Sequence, residues 1–326
     1  MKLNKMNKNR QLKNLKRKIK NLKIKYKNII KKSIAITSNS IIDDEPSAYY
    51  KYMNQNTLLL LIKNRTIKIT NPIKFNDPMD SSIPNIKIND LYIKKVILDV
   101  LNEKYHEEIN GYKSEFEQEL NIEILTLKKE FEVISAELIK EWSSLISHFR
   151  VLSLTTKGDN LLMWSHYANE HKGVVIKFKE NLSLGRPIKI NYYDGHQRLN
   201  NFFNKTIALI IKEEVDAGFS DENTDKLSDI TLKVMLNYFF MKMSEWQYES
   251  EYRIVYEKDH SKIKNINADL DVLAINENDI ECIIIGSSVS LLRARRLKFL
   301  IQARFPQVEV RRYQRVGWEL KSEKIN

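Results

Sequence analysis

Two glutamates stand two residues apart in the run Trp246-Gln-Tyr-Glu249-Ser-Glu251-Tyr-Arg253. If this run enters a strand, the alternation of side chains puts both carboxylates on one face. One carboxylate could then stabilise developing positive charge while the other takes a proton from an incoming group. Two further segments place polar groups at strand ends and sharp turns. Tyr50-Lys51-Tyr52 precedes the turn-rich Phe75-Asn-Asp77-Pro-Met-Asp80, and Met163-Trp-Ser-His166-Tyr167-Ala runs on to His171-Lys-Gly173. Other chemistries find little support: the chain has no Walker A loop, no GxGxxG after a strand and no HExxH. His166 and His171 are five apart, whereas a zinc-binding pair on one helical face needs three or four, so no metal site is expected there. The single cysteine, Cys282, lies in the apolar run Glu281-Cys-Ile-Ile-Ile-Gly286 and reads as a small buried strand residue, not a nucleophile.

Each of these residues also has a plain structural reading. Glu251 and Arg253 suit an ion pair on an exposed strand face. Asn-Asp-Pro is first of all a turn, in which Asp77 and Asp80 satisfy backbone amides, with metal binding as the alternative. Trp164 and Trp246 read as core aromatics, and His166 and His171 as anchors of the loop before Gly173. Arg293, Arg295, Arg296 and Lys298 form a basic helix face, solvated by default, with phosphate or RNA contact as the alternative.

The elements that must position these groups are legible from pattern. Ala48–Met53 reads as a strand, Leu58–Ile62 as an apolar helix, and Arg65–Thr70 alternates at period two. Residues from about 89 to 148 read as a helical insertion broken at Gly111. Further strands are expected at 150–156, 173–178, 188–193, 251–256, 270–275 and 281–285. Helices are expected at 160–170, 201–215, 224–243 and 291–304, with a final strand at 308–313. Strands interrupted by mixed helices and loops predict an α+β core. The domain division is a basic arm and linker over 1–47 and a body over 48–326.

The blocks YKY, FNDP-x-D, MWSHYA…HKGV and W-x-x-E-x-EYRI together resemble a bacterial domain-of-unknown-function family, number 2971, often found beside phage-defence genes. The resemblance runs from about Tyr49 to Tyr313, with two departures: Met53 stands where many members carry arginine, and Met79 replaces a phenylalanine. The order of the blocks also resembles the ADP-ribosyltransferase superfamily. That resemblance implies a mixed-sheet core with a helical insertion, and NAD as co-substrate. Glu251 would be the key carboxylate on the ribose 2′-OH and Glu249 the acceptor-activating one. Tyr167 would stack on the nicotinamide, Lys51 or Tyr52 would contact the adenosine half, and Ser153 or Thr155 would sit where related enzymes place a serine or aromatic. His166 joins this cofactor-binding set. The expectation is an NAD-consuming or ADP-ribosylating effector of abortive infection. The alternatives are a nucleic-acid-binding module or nuclease using Asp77, Asp80 and Glu251 around a metal, and a non-catalytic sensor.

The net charge of +12 is uneven: residues 1–32 hold fourteen Lys and Arg, and no acid precedes Asp43. Taking those fourteen from +12 leaves the rest of the chain near −2. Within the arm Leu12, Leu15, Ile19, Leu22, Tyr26 and Ile29 form an apolar seam at helical spacing. It reads as a docking or coiled-coil helix, a polyanion-binding arm, a helix on an anionic membrane surface, or a solvated tail. Nucleic acid or another anionic partner of Lys2–Lys32 is therefore expected. With no stretch apolar enough to span a membrane and no signal-peptide core, the expected location is the cytoplasm. The charge distribution yields a first expected outcome. Polyanion binding to the full chain falls steeply as salt rises, and deleting residues 1–32 removes most of it in a filter or fluorescence titration. Equal binding by the truncated chain would move the site to the Arg293–Lys298 helix.

Overall fold

A computed structural model describes residues 46–82, 142–195 and 238–325, apart from 145, 181, 268 and 269, with scattered residues at 89–99, 136 and 200–205. The basic arm, nearly all of the expected insertion at 89–148 and most of the helices expected at 201–215 and 224–243 lie outside the described residues. The chain divides into two compact units. One gathers Met1–Asp43, Asn85–Ser135 and Leu199–Phe239; the other gathers Asp44–Pro84, Ala136–Arg198 and Phe240–Asn326. The second unit carries the elements that follow.

Thirteen strands are seen among the described residues: β1 Tyr49–Met53, β2 Thr66–Ile69, β3 Phe149–Thr155, β4 Val174–Phe178, β5 Ile188–Lys189, β6 Asn191–Tyr193, β7 Met241–Met243, β8 Glu251–Glu257, β9 Ile263–Asn267, β10 Leu270–Ala274, β11 Ile280–Ile285, β12 Glu309–Val316 and β13 Glu319–Lys324. Helices with described bounds include α1 Gln55–Asn64, α2 Leu161–Tyr167 and α3 Leu291–Gln302. Eight strands form one sheet in the order β13-β12-β11-β4-β1-β3-β8-β5, and β2-β10-β9 form a second. Neighbours in the large sheet are antiparallel except β11 and β12, which run parallel and are joined through α3. The mixed α/β sheet architecture expected from the pattern is present.

Local chemistry explains the elements. Asn54 caps α1 by accepting from Thr57 N at 2.8 Å, and Arg65 ends it in the left-handed region, its N–H reaching Leu61 O. In β2 Ile67 and Ile69 point inward while Lys68 stays exposed. Strands β4 and β11 are apolar on both faces because the sheet is covered on both. Ile176, Phe178, Ile283 and Ile285 pack with Leu58 and Leu61 of α1 and Leu297 and Ile301 of α3. The alternate residues Val175, Cys282 and Ile284 pack with Met163 and Trp164 of α2.

The MWSHYA…HKG block has a structural role beyond α2. Asn160 caps the helix, and Asn169, Glu170 and His171 then take φ of 47, 54 and 64°, three left-handed residues in succession. Their turn is closed by N–H groups of Glu170, His171, Lys172 and Gly173, which donate to Ser165, Trp164, Asn169 and Ala168 carbonyls. His171 also stacks on Trp164, with ring centroids 6.0 Å apart. The histidine thus anchors the loop before Gly173.

Three elements differ from the sequence expectation. The single strand expected at 188–193 is two strands in different sheets: Ile190 between them donates to Glu251 O, and Asn191 then donates to Phe240 O. The helix expected to run to Met243 gives way to β7, which pairs parallel with β6. A short run such as Met-Lys-Met carries no period that separates helix from strand, so the ladder partner decides. The strand at 308–313 is not the last, because β13 returns along it as an exposed edge.

One close backbone approach generates a test. A Cβ on Gly286 would stand 2.1 Å from His171 O, whereas one on Gly317 would meet open space at φ +62°. Gly286→Ala is expected to destabilise by about 3 kcal/mol, the upper end of overpacking costs, and Gly317→Ala by about 1–2 kcal/mol from backbone strain alone. Urea denaturation measures both, and equal losses would refute the close approach.

Candidate functional site

The site begins with a gap in the large sheet. Strand β1 is registered with β3 at one position, Tyr50 opposite Thr155. Farther along β3, Val151 exchanges both backbone hydrogen bonds with Thr70, at the end of β2. Between these two contacts the Ser153 carbonyl has no strand beside it and accepts instead from Lys51 Nζ at 2.8 Å. A cleft of roughly 330 Å³ opens there, at the low end of ligand-cavity volumes.

On the other side of β3, strand β8 pairs in full register, Thr155 opposite Glu251 and Ser153 opposite Arg253. Glu251 and Arg253 are two apart on one strand and share a face. Their pair is buried, with Arg253 1% and Glu251 4% exposed, which corrects the expectation of an exposed surface pair. Arg253 donates from Nε to Glu251 Oε1 at 2.8 Å and from Nη2 to Oε2 at 3.1 Å. It also grips Asp80, Nη1 to Oδ1 at 3.0 Å and Nη2 to Oδ2 at 2.5 Å. The Phe75 ring lies under the guanidinium, 5.0 Å from centroid to Cζ.

Lys242, the middle residue of β7, brings a second buried cation. Its Nζ donates to Glu249 Oε2 at 2.5 Å and Glu251 Oε2 at 3.1 Å, and stands 3.7 Å from Asp80 Oδ2. The ring of Trp246 lies 4.9 Å from the same nitrogen, so this half-buried tryptophan caps a cation and is not a core residue.

Glu249 does not lie on β8. It ends a 3-10 helix, Ser244–Glu249, and Ser250 at φ 44° turns the chain into the strand. The shared strand face expected for the two glutamates is therefore absent. Their carboxylates meet instead through Lys242. Tyr167, at the end of α2, donates its hydroxyl to Glu249 Oε1 at 2.5 Å, and Asn76 Nδ2 donates to Tyr167 at 3.2 Å. Thr155 lines the cleft and holds the Glu249 backbone carbonyl through its hydroxyl.

The two glutamates are shifted in opposite directions. Burial would raise the Glu251 carboxyl, but Arg253 and Lys242, with hydrogen bonds from Arg253 and Ser153, outweigh it and hold it down to about 2. Glu249 is raised, first by burial and then by the neighbouring Glu251 charge, with Lys242 opposing. Burial also lowers the Lys51 amine to about 8 against the pull of Glu251 and Glu249.

Six of the eight residues singled out from sequence line this one cleft with side chains in or beside the cluster: Glu249, Glu251, Tyr167, Lys51, Ser153 and Thr155. Tyr52 lines it too but is buried, its hydroxyl donating to Lys157 O and its ring edge-on to Trp164. His166 is exposed, sits outside the lining and contacts Tyr248. Asp77 closes a turn by accepting from Met79 N at 2.9 Å, as a turn residue should, while Asp80 belongs to the ionic cluster. Sequence reasoning missed Lys242 and Arg253 as site residues. The signal for Arg253 was its spacing from Glu251; Lys242, inside an expected helix, had none.

The family model described as a protein of unknown function, DUF2971, matches residues 163–254. The match supports assignment to that domain family over a span that holds the MWSHYA block, Glu249, Glu251 and Arg253. It leaves Lys51 and the Phe75–Asp80 turn outside. No curated protein matches the chain. No solved structure matches it either.

The pKa of Glu251 sets an acid limit on stability. Its folded value lies below that of an unfolded glutamate, about 4.3, so its stabilising contribution is complete above that range and is lost as pH falls through about 2. Glu251→Gln is expected to lower the melting temperature at neutral pH and to flatten its decline on acidification. Parallel melting curves against pH for both proteins would show that this carboxylate is not the titrating group.

Proposed function

We propose that the cleft is the active site of an enzyme that cleaves the bond between nicotinamide and ribose in NAD, with Glu249 as the working carboxylate. The observation that carries this is the unequal filling of three carboxylates around one cleft. From the described residues, Glu251 receives four hydrogen bonds, two from Arg253 and one each from Lys242 and Ser153, which fills two carboxylate oxygens. Asp80 receives three, two from Arg253 and one from Ser81. Glu249 receives two and lines the cleft. A buried cluster of this kind costs desolvation that apolar packing would avoid, which favours a functional reason for it.

In this reading the C1′–N bond breaks with its electron pair leaving on nicotinamide, which departs neutral. The ribosyl centre gains positive charge, and Glu249 stabilises it from one side. Water or an acceptor hydroxyl then adds at C1′, and its proton passes to Glu249, whose raised pKa suits it to receive one. Tyr167 and Lys242 hold that carboxylate in place, and Glu251 acts as a positioning residue through Lys242 and Arg253. This reverses the order of the two glutamates drawn from resemblance alone. In the defence setting that the family resemblance implies, such turnover would drain the cell's NAD as an abortive-infection effector.

Nicotinamide release by the purified full chain tests the reading. Glu249→Gln is expected to lower kcat by about 10²–10³-fold, the scale of one preorganised electrostatic contact, without lowering the melting temperature. Glu251→Gln is expected to lower both. If Glu249→Gln keeps wild-type turnover, Glu249 is not the working carboxylate; if the wild-type chain leaves NAD intact, the cleft is a binding site and the non-catalytic alternative replaces the enzyme.

A further inference from the structure

We propose that the wedge where β1 and β2 part on β3 is a phosphate subsite, built by Lys51, Lys68 and Lys74, that takes the diphosphate of an anionic nucleotide. It rests on the reading of the cleft as a nucleotide site and names how that nucleotide is held. Three different elements deliver the lysines to one cavity: β1 supplies Lys51, the outward face of β2 supplies Lys68, and the short helix Pro72–Lys74 ends on Lys74. Neither Lys51 nor Lys68 is ion-paired with the acidic cluster among the described residues, although Glu251 and Glu249 attract the Lys51 amine. The carboxylates are served by Arg253, Lys242, Ser153 and Tyr167.

The balance of charge in the cleft then divides it. Of its lining side chains five are cationic and three anionic, and the two buried cations Lys242 and Arg253 are bound to the three carboxylates. Among the described residues no carboxylate lies within ion-pair distance of Lys51 or Lys68. Burial holds the Lys51 amine down against the pull of Glu251 and Glu249, and the weaker repulsion between Lys51 and Lys68 across the wedge adds to the lowering. A multivalent anion seated between them would relieve the repulsion and offset the desolvation of Lys51, which is the situation that favours phosphate. The same cleft presents carboxylates at Glu249 and ammonium groups at its β1–β2 side. That polarity suits a molecule with a cationic leaving group at one end and phosphates at the other. It does not suit a neutral nucleoside, which brings no anion to Lys51 and Lys68.

The probe is inorganic pyrophosphate, titrated calorimetrically into the full chain, with the basic arm retained in every variant so that its contribution is constant. Lys68→Gln combined with Lys74→Gln is expected to weaken pyrophosphate binding at least tenfold. The charge-matched control Lys63→Gln with Lys179→Gln, two exposed positions outside the cleft, is expected to change it little. In steady-state assays the Lys68/Lys74 double variant should raise KM for NAD with kcat preserved, and should leave cleavage of nicotinamide riboside, which has no phosphate, unchanged. Equal weakening by the control pair, or none by either pair, overturns the subsite and returns the anion to the arm. If NAD is cleaved and the double variant keeps its KM, the subsite fails and the glycosidic reading stands. If pyrophosphate binds with the expected variant pattern and NAD is left intact, the subsite stands and the glycosidic reading fails.

Discussion

A guanidinium with 1% exposure has to be answered by charge, and in this protein that requirement organises everything around the cleft. Taking an ion out of water costs several kcal/mol even after relaxation, so Arg253 is stable only with both Asp80 and Glu251 on it. Those two carboxylates come from separate segments. Asp80 ends the turn after β2, and Glu251 opens β8. The bond from Arg253 thereby fastens a surface turn to the middle of the fold, and Phe75 in the same turn covers the guanidinium face. The Trp142 indole adds a hydrogen bond to Ser81 O at 2.6 Å, closing the turn from the far side.

The same constraint singles out one carboxylate, the one proposed as the reactive group. Arg253 alone cannot neutralise Asp80, Glu251 and the nearby Glu249, and Lys242 supplies the second cation. Two cations against three buried carboxylates leave one negative charge uncompensated. It falls on Glu249, which has the fewest donors and is shifted toward protonation by burial and by its neighbour. Glu251 is driven the opposite way by the partners that saturate it. Two glutamates two residues apart thus have pKa values shifted in opposite directions because the cluster distributes its donors unequally, a separation of the kind that assigns acid–base roles in active sites.

Access to that carboxylate comes from the sheet. A continuous ladder between β1 and β3 would bury Ser153 and seal the site. Because β3 is paired by β1 at Thr155 and by Thr70 at Val151, its middle faces a gap, and Lys51 satisfies the carbonyl left there. The replacement of a backbone donor by a lysine side chain is what makes the opening compatible with a satisfied backbone. It also places an amine with a lowered pKa on the wall of the cleft.

Much of this could be read in the sequence where the information is local. Period-two alternation located β2, and short strand-like runs located β1, β3, β4, β8 and β11. The apolar run around Cys282 marked a strand buried on both faces, and the thiol is indeed buried and pushed up to about 11. Glu249 and Glu251 stood out by their spacing, Tyr167, Lys51, Ser153 and Thr155 by what the family resemblance implied, and tertiary structure gathers all six at one cleft. What the sequence by itself determined is therefore the strand pattern of the core and the chemical identity of the groups available. What only the tertiary structure decided is how many donors each of those groups receives. Lys242 gave no local signal, because its partners stand seven and nine residues on and across a turn to Asp80. Glu249 was placed on a strand because a left-handed Ser250 has no signature in a run of polar residues. Spacing along a chain fixes which side chains share a face. The state of a carboxylate depends on how many donors surround it in three dimensions, and that number is set by elements distant in sequence.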